Sequence, residues 1–116
     1  MLSIAVLLES GLVGEIEIHG DVTKALSRLP DRPDDYFEWT PNSQLIPVNQ
    51  LIASHIRNDG VVNANKLLKS SAQNAGTKRQ PITIRRFGDR YLVLDGNSTL
   101  INAKFSDWAQ VPCEIE

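Results

Sequence analysis

The sequence predicts an α+β fold, a small mixed β-sheet with helices packed on it, and three observations carry that expectation. Short runs at Ile82-Thr83-Ile84-Arg85, Arg90-Tyr91-Leu92-Val93-Leu94 and Val111-Pro112-Cys113-Glu114-Ile115 alternate with the two-residue period of half-buried strands. Among them, Ala64, Leu67, Leu68 and Ala72 recur at helical spacing, as do Leu100, Ile101 and Phe105. A chain of 116 residues, 41% apolar and 22% charged, is enough for one domain around one core.

Two parts follow in order. Residues 1–44 form an opening extension expected to pack on the rest. Leu2 to Leu8 is apolar but too short to span a bilayer, and Glu9 follows at once, so a buried strand or helix is expected rather than a signal peptide or membrane segment. Gly14 leads into Glu15-Ile16-Glu17-Ile18, an alternating half-buried strand. Asp21 can cap a short helix through Leu29, because its carboxylate accepts first-turn amide hydrogens. Pro30 and Pro33 then stop it, and residues 31–43 are expected as loop, with Tyr36, Phe37 and Trp39 as anchors.

Residues 45–116 are the organised domain. A short strand spans Leu45-Ile46-Pro47-Val48. Asn63 is the expected cap of the Ala64 helix and Gly76 its stop. The strands from Ile82 and Arg90 form a hairpin about Gly88-Asp89. A helix starts near Ser98 and is closed by Trp108. The last strand, from Val111, contains Pro112, which calls for an edge or outward position.

Charge and cysteine content narrow the function. A net charge of −2 gives no general field for a nucleic-acid backbone, so any phosphate contact must be local. Cys113 is the single cysteine, and His19 and His55 are far apart, so neither an internal disulfide nor a structural zinc site is expected. A cytoplasmic location fits this cysteine usage, and no metal ligand set stands out.

The chemistry is expected at the junction Asp95-Gly96-Asn97-Ser98-Thr99, which joins a strand to a helix with almost no spare residues. Gly96 admits backbone angles closed to other residues and lets a ligand approach the main chain. Asn97, Ser98 and Thr99 can each cap the helix, whose first amide hydrogens suit a phosphate. A capped turn without any ligand would have the same composition. Asp95 could act as a base or hold a magnesium ion, or serve only the turn. Arg57, with His55, and Arg85, with Arg86, Arg90, Lys78 and Arg79, are the available basic groups; a solvated hairpin face explains most of them equally well.

The stretch QPITIRRFGDRYLVLDGNSTLINAKFSDWAQVPCEI, residues 80–115, resembles the ParB/sulfiredoxin superfamily. The matching marks are Pro81-Ile82-Thr83-Ile84, Leu94-Asp95-Gly96, Ala103 and Val111-Pro112, and the similarity covers residues 45–116 with no counterpart for 1–44. The resemblance implies that the turn binds nucleotide phosphates or a DNA-linked ligand, and that the loop of Arg57 lies beside it. It is also similar to the turns of ParB-like free-serine kinases and nuclease domains. In sulfiredoxins the residue after the glycine is the catalytic cysteine, whereas this chain has Asn97, which rules against peroxiredoxin repair. Ser98 and Thr99 stand where many members carry arginine, so the planar phosphate clamp is missing. The expected function is a ParB-like domain binding a nucleotide or nucleic-acid phosphate through Gly96, Asn97, Ser98, Thr99 and Arg57. His55 and Arg85 are further candidate contacts, and Asp95 is the candidate catalytic residue for nuclease or phosphotransfer activity. The alternative is a non-catalytic protein-interaction or toxin-associated accessory module.

Overall fold

A computed structural model describes residues 2–116, and the chain begins in it with a hairpin. β1 (Ser3–Leu7) pairs antiparallel with β2 (Val13–Glu17), in register from Ser3 opposite Glu17 to Leu7 opposite Val13. Ile4, Ala5 and Val6 are buried, but β2 is an outer strand and Ile16 remains 42% exposed. The alternation around Ile16 therefore marks an edge strand rather than a half-buried one.

α1 (Gly20–Lys24) is shorter than expected. Its cap is His19, whose Nδ1 accepts from the Asp21 amide at 3.1 Å, so Asp21 supplies first-turn negative charge and not the cap. The segment expected as loop holds α2 (Pro33–Tyr36). Pro33 starts this turn instead of ending one, because the amide it lacks has no partner at a helix start. Tyr36 stacks on Trp108 with ring centroids 5.2 Å apart and donates its hydroxyl to the Pro30 carbonyl at 2.9 Å. Phe37 is buried beside it, whereas Trp39 is not.

β3 (Gln44–Pro47) leads through a 3-10 turn into β4 (Leu51–Ile52), a short strand with no alternation long enough to signal it. α3 (Asn58–Ala72) starts five residues before Asn63. Gly60, Val61 and Val62 are poor helix formers, yet Val61 is fully buried, and packing overrides propensity. The buried face is Val61, Ala64, Asn65, Leu68 and Ser71; Leu67 is left 39% exposed. The helix ends at Gln73 and Asn74, the latter with φ +57°, two residues before Gly76.

β5 (Ile82–Phe87) and β6 (Arg90–Asp95) form the expected hairpin, α4 (Asn97–Phe105) leaves β6 directly, and β7 (Gln110–Ile115) closes the chain. The five-stranded sheet runs β3-β7-β5-β6-β4, with β7 parallel to β5 and β4 parallel to β6. β7 is thus an interior strand, yet Pro112 keeps the edge character expected of it, although it is buried and not outward. The strand tolerates proline because β5 joins β7 only from Cys113 onward, so at Pro112 it has β3 alone as neighbour. The opening hairpin prolongs this sheet: Val6 bridges Ala53 just past β4, with main-chain bonds from Leu7 to Ala53 (2.9 Å) and from Ala53 to Ala5 (2.8 Å).

One hydrophobic core unites both parts of the chain. Ile4, Val6, Ile18, Val22, Leu26 and Leu29 are buried in the same cluster as Val61, Leu68, Val93, Leu100 and Val111. At its centre lies a buried polar network. Asn102 donates to the carbonyls of Val61 (3.0 Å) and Ser98 (2.9 Å) and accepts from Asn65 (2.8 Å). Asn65 also donates to the Ser27 carbonyl and accepts from the Ser27 amide, at 2.9 and 3.1 Å. These bonds tie α3, α4 and the opening segment together with their polar groups satisfied, the condition under which burying an amide is tolerable.

Candidate functional site

The turn after β6 sits at the mouth of a cleft where two helices begin. Gly96 occupies the cap position of α4 with φ +106°, a left-handed conformation that glycine adopts without steric cost. It is doubly required: a Cβ there would lie 3.0 Å from Ile82 Cγ1 and 3.3 Å from Ile82 Cα. β6 can therefore turn into α4 hard against the start of β5.

Neither helix has a side-chain cap. α3 begins at Arg57 in extended conformation and α4 at Gly96, and the bonds from Val61 to the Arg57 carbonyl and from Leu100 to the Gly96 carbonyl are both 3.0 Å. The amides of Asn58, Asp59 and Gly60, and of Asn97, Ser98 and Thr99, thus head their helices without an intrahelical acceptor. The two first turns touch, for a Cβ on Gly60 would come within 2.8 Å of Ser98 Oγ. Two positive helix ends are brought to one place.

The side chain of Asn97, expected as a cap, does something else. It is 6% exposed; its Oδ1 accepts from the Ser54 amide at 2.8 Å and its Nδ2 donates to Ser54 Oγ at 2.9 Å, with His55 Nδ1 at 3.5 Å. Asn97 pins the loop carrying His55 and Arg57 against the turn. Ser98 and Thr99 likewise make no capping bond.

The cleft beside the turn has a volume of about 270 Å³ and brings His55, Arg57, Asp95, Gly96, Ser98 and Thr99 together. Arg57, His55 and Asp95 are exposed there. Arg85 is not part of it. It lies on β5 opposite Leu92, toward the hairpin turn, several residues beyond the Ile82 that touches Gly96. Gly60, Asn63 and Arg79 also line the cleft. Asn63 was expected as a helix cap, and its place inside α3 follows from the earlier helix start. Arg79 was visible only as one basic residue among several before the hairpin; nothing in its local sequence marks it. A second hollow, of about 420 Å³, continues along Thr77, Lys78, Gln80 and Pro81 and shares Leu67, Arg79, Asp95, Gly96 and Thr99 with the first. Among the described residues, no group of three or more His, Cys, Asp or Glu side chains could hold a metal ion.

Cys113 lies away from the cleft on β7, fully buried. Burial pushes its thiol up to about 12, from an ordinary value of 9.0. Among the described residues, no helix is long and apolar enough to cross a membrane.

No family model matches the sequence, and no curated protein is similar to it at a significant level. Among solved structures, the chain is similar to SbnI from Staphylococcus aureus in a C-terminally truncated form, with a TM-score of 0.52 and 22% identity over 65% of this chain. The matched part is 30% of that SbnI chain. Sulfiredoxin from Arabidopsis thaliana aligns with 66% of this chain and 85% of its own, at a TM-score of 0.46 and 16% identity. The chain has a ParB/sulfiredoxin-like α+β fold, as the residues around Pro81, Asp95-Gly96 and Val111-Pro112 led one to expect.

Proposed function

We propose that the chain binds a phosphate-bearing ligand, a nucleotide or a nucleic-acid phosphate, in the cleft at the Asp95-Gly96-Asn97-Ser98-Thr99 turn. The observation that carries this reading is the meeting of two uncapped helix starts, those of α3 and α4, in one cleft beside Arg57. Amide hydrogens at helix ends favour anions by hydrogen bonding and by the dipole together. Arg57 adds a planar cation at the rim, and His55 is held next to it by the Asn97 pin.

Binding rather than turnover is the better account of this site. The position after Gly96 holds an amide engaged by Ser54, so it offers no nucleophile. Asp95 is a lone carboxylate in the cleft, and a magnesium ion there would need ligand phosphates to complete its oxygen shell. The test is a thermal-shift panel with phosphate, pyrophosphate, ATP, CTP, GTP and short DNA, with and without magnesium, since a ligand of the native state raises Tm by mass action. We expect at least one phosphate ligand to stabilise the protein, and Arg57→Ala to weaken it by about 1.5–3 kcal/mol, the usual worth of a charge-assisted hydrogen bond. A flat panel overturns the reading. Turnover of a nucleotide or DNA that is lost in folded Asp95→Ala would instead make the protein an enzyme.

A further inference from the structure

Arg79 is where the cleft and the opening segment meet. Among the described residues, its Nε is the buried side-chain nitrogen or oxygen that lacks a hydrogen-bond partner. A guanidinium N–H withdrawn from water without an acceptor is costly, so the side chain gains by a small shift that brings this group to an acceptor. The same side chain lines both hollows beside the turn, with Asp95, Gly96 and Thr99. The turn itself, Asn97-Ser98-Thr99, carries no cation.

The backbone of Arg79 is gripped from the opening segment. Its amide donates to the Tyr36 carbonyl at 2.7 Å, and its carbonyl accepts from the Glu38 amide at 2.8 Å, so that Phe37 and Arg79 form a parallel bridge. Tyr36 and Phe37 are immobilised in turn, both buried against Trp108. The neighbouring Lys78 is drawn the other way, its Nζ donating to the carbonyls of Asp34 and Asp35. Of two adjacent cations, the bracket leaves Arg79 to the cleft.

We infer that Arg79 is a ligand-contacting residue of this site, its guanidinium donating to an anionic oxygen bound at the turn, and that residues 36–38 complete the site by holding Arg79 in place. The inference rests on the anion-site reading above and goes beyond it, because it makes the opening segment part of the binding apparatus. It also gives the site cations from two directions, Arg57 from the loop before α3 and Arg79 from the approach to β5.

The experiment uses the full chain with pyrophosphate as probe, its affinity measured by calorimetry and the Arg79 Nε–H signal followed by NMR. Arg79→Ala is expected to weaken binding about tenfold or more. Arg79→Lys should recover only part of it, since lysine keeps the charge but not the planar fork of donors. In the wild type, the Arg79 Nε–H resonance should shift as pyrophosphate is added. Glu38→Pro removes the amide that grips Arg79 without touching the cleft. It should lower affinity in the same direction and add little on top of Arg79→Ala. Wild-type protein that binds no pyrophosphate would overturn the anion-site reading itself. Binding that Arg57→Ala weakens while Arg79→Ala leaves it within twofold, or with a stationary Nε–H signal, would overturn the role of Arg79 alone. A folded Glu38→Pro protein that binds like the wild type would remove the part given to residues 36–38.

Discussion

Asn97 heads α4 with its side chain buried and engaged by a neighbouring loop instead of its own helix. Its amide group forms the joint between the turn and the loop of Ser54 and His55, with two hydrogen bonds below 3 Å. Asn97→Ala leaves the Ser54 amide without its partner and is expected to cost about 1–3 kcal/mol, measured by urea unfolding. Asn97→Asp keeps the acceptor for Ser54 and should recover part of the loss. The turn was legible in the sequence because Asp-Gly between a strand and a helix has few other uses. The work of Asn97 was not, since its partner lies 43 positions away. Cys113, on β7, is fully buried. Because its folded pKa is pushed up to about 12, it stays protonated where the unfolded thiol ionises near 9. Above pH 9 the unfolded state therefore binds fewer protons, and stability falls as pH rises from there toward 12. Comparing urea midpoints of wild type and Cys113→Val across this range should show a decline in the wild type that the variant lacks. Below pH 9 the two should run parallel.

At the level of elements, the sequence was most reliable where periodicity was long and least where packing decides. β5, β6, α4 and β7 lie close to where their alternation put them. The true start of α3 is hidden in the sequence because its first turn is built of Asn58, Asp59, Gly60 and Val61, whose propensities argue against a helix. The burial of Val61, the bond from Asn102 to its carbonyl and the contact of Gly60 with the first turn of α4 hold it there. α2 and β4 were missed for a related reason: each is a few residues long and is defined by its neighbours. The joint between α3 and α4 depends on Asn102, which is fully buried. Asn102→Leu is nearly isosteric but removes two donated bonds and one accepted bond, leaving the Asn65 Nδ2 hydrogen that pointed at it unpaired in the core. An expected loss of about 2–3 kcal/mol follows, with the denaturant slope unchanged if the fold survives. A variant as stable as the wild type would mean that the network sets geometry alone.

For the whole molecule, the division at residue 44 is one of resemblance and not of packing. The residues before it supply Ile4, Val6, Ile18, Val22, Leu26 and Leu29 to the common core, and the Trp108 indole donates to the Leu29 carbonyl at 2.9 Å. Their composition shows that they are apolar in part, but not that β1 continues the sheet through Ala53 or that Tyr36 reaches Arg79. Those are pairings between distant segments, which a single sequence does not encode visibly. Residues 45–116 produced alone should therefore lack a cooperative unfolding transition and expose the faces now covered by the opening hairpin, α1 and α2. A sharp transition in the fragment, monitored by tryptophan fluorescence of Trp108, would contradict this.

The Ser27–Asn65–Asn102 chain of hydrogen bonds also has a direction. Asn65 must turn its oxygen to the Ser27 amide and its nitrogen to the Ser27 carbonyl and to Asn102; rotated by half a turn, it would set donor against donor. The asparagine thus grips the opening strand-and-helix arm by its main chain at Ser27, a polar point of attachment in an otherwise greasy contact. The same geometry makes the Ser27 amide a clock. Its deuterium exchange should be no faster than the release of the arm, and it should keep pace with the core of α3 instead of with the exposed Arg28 beside it.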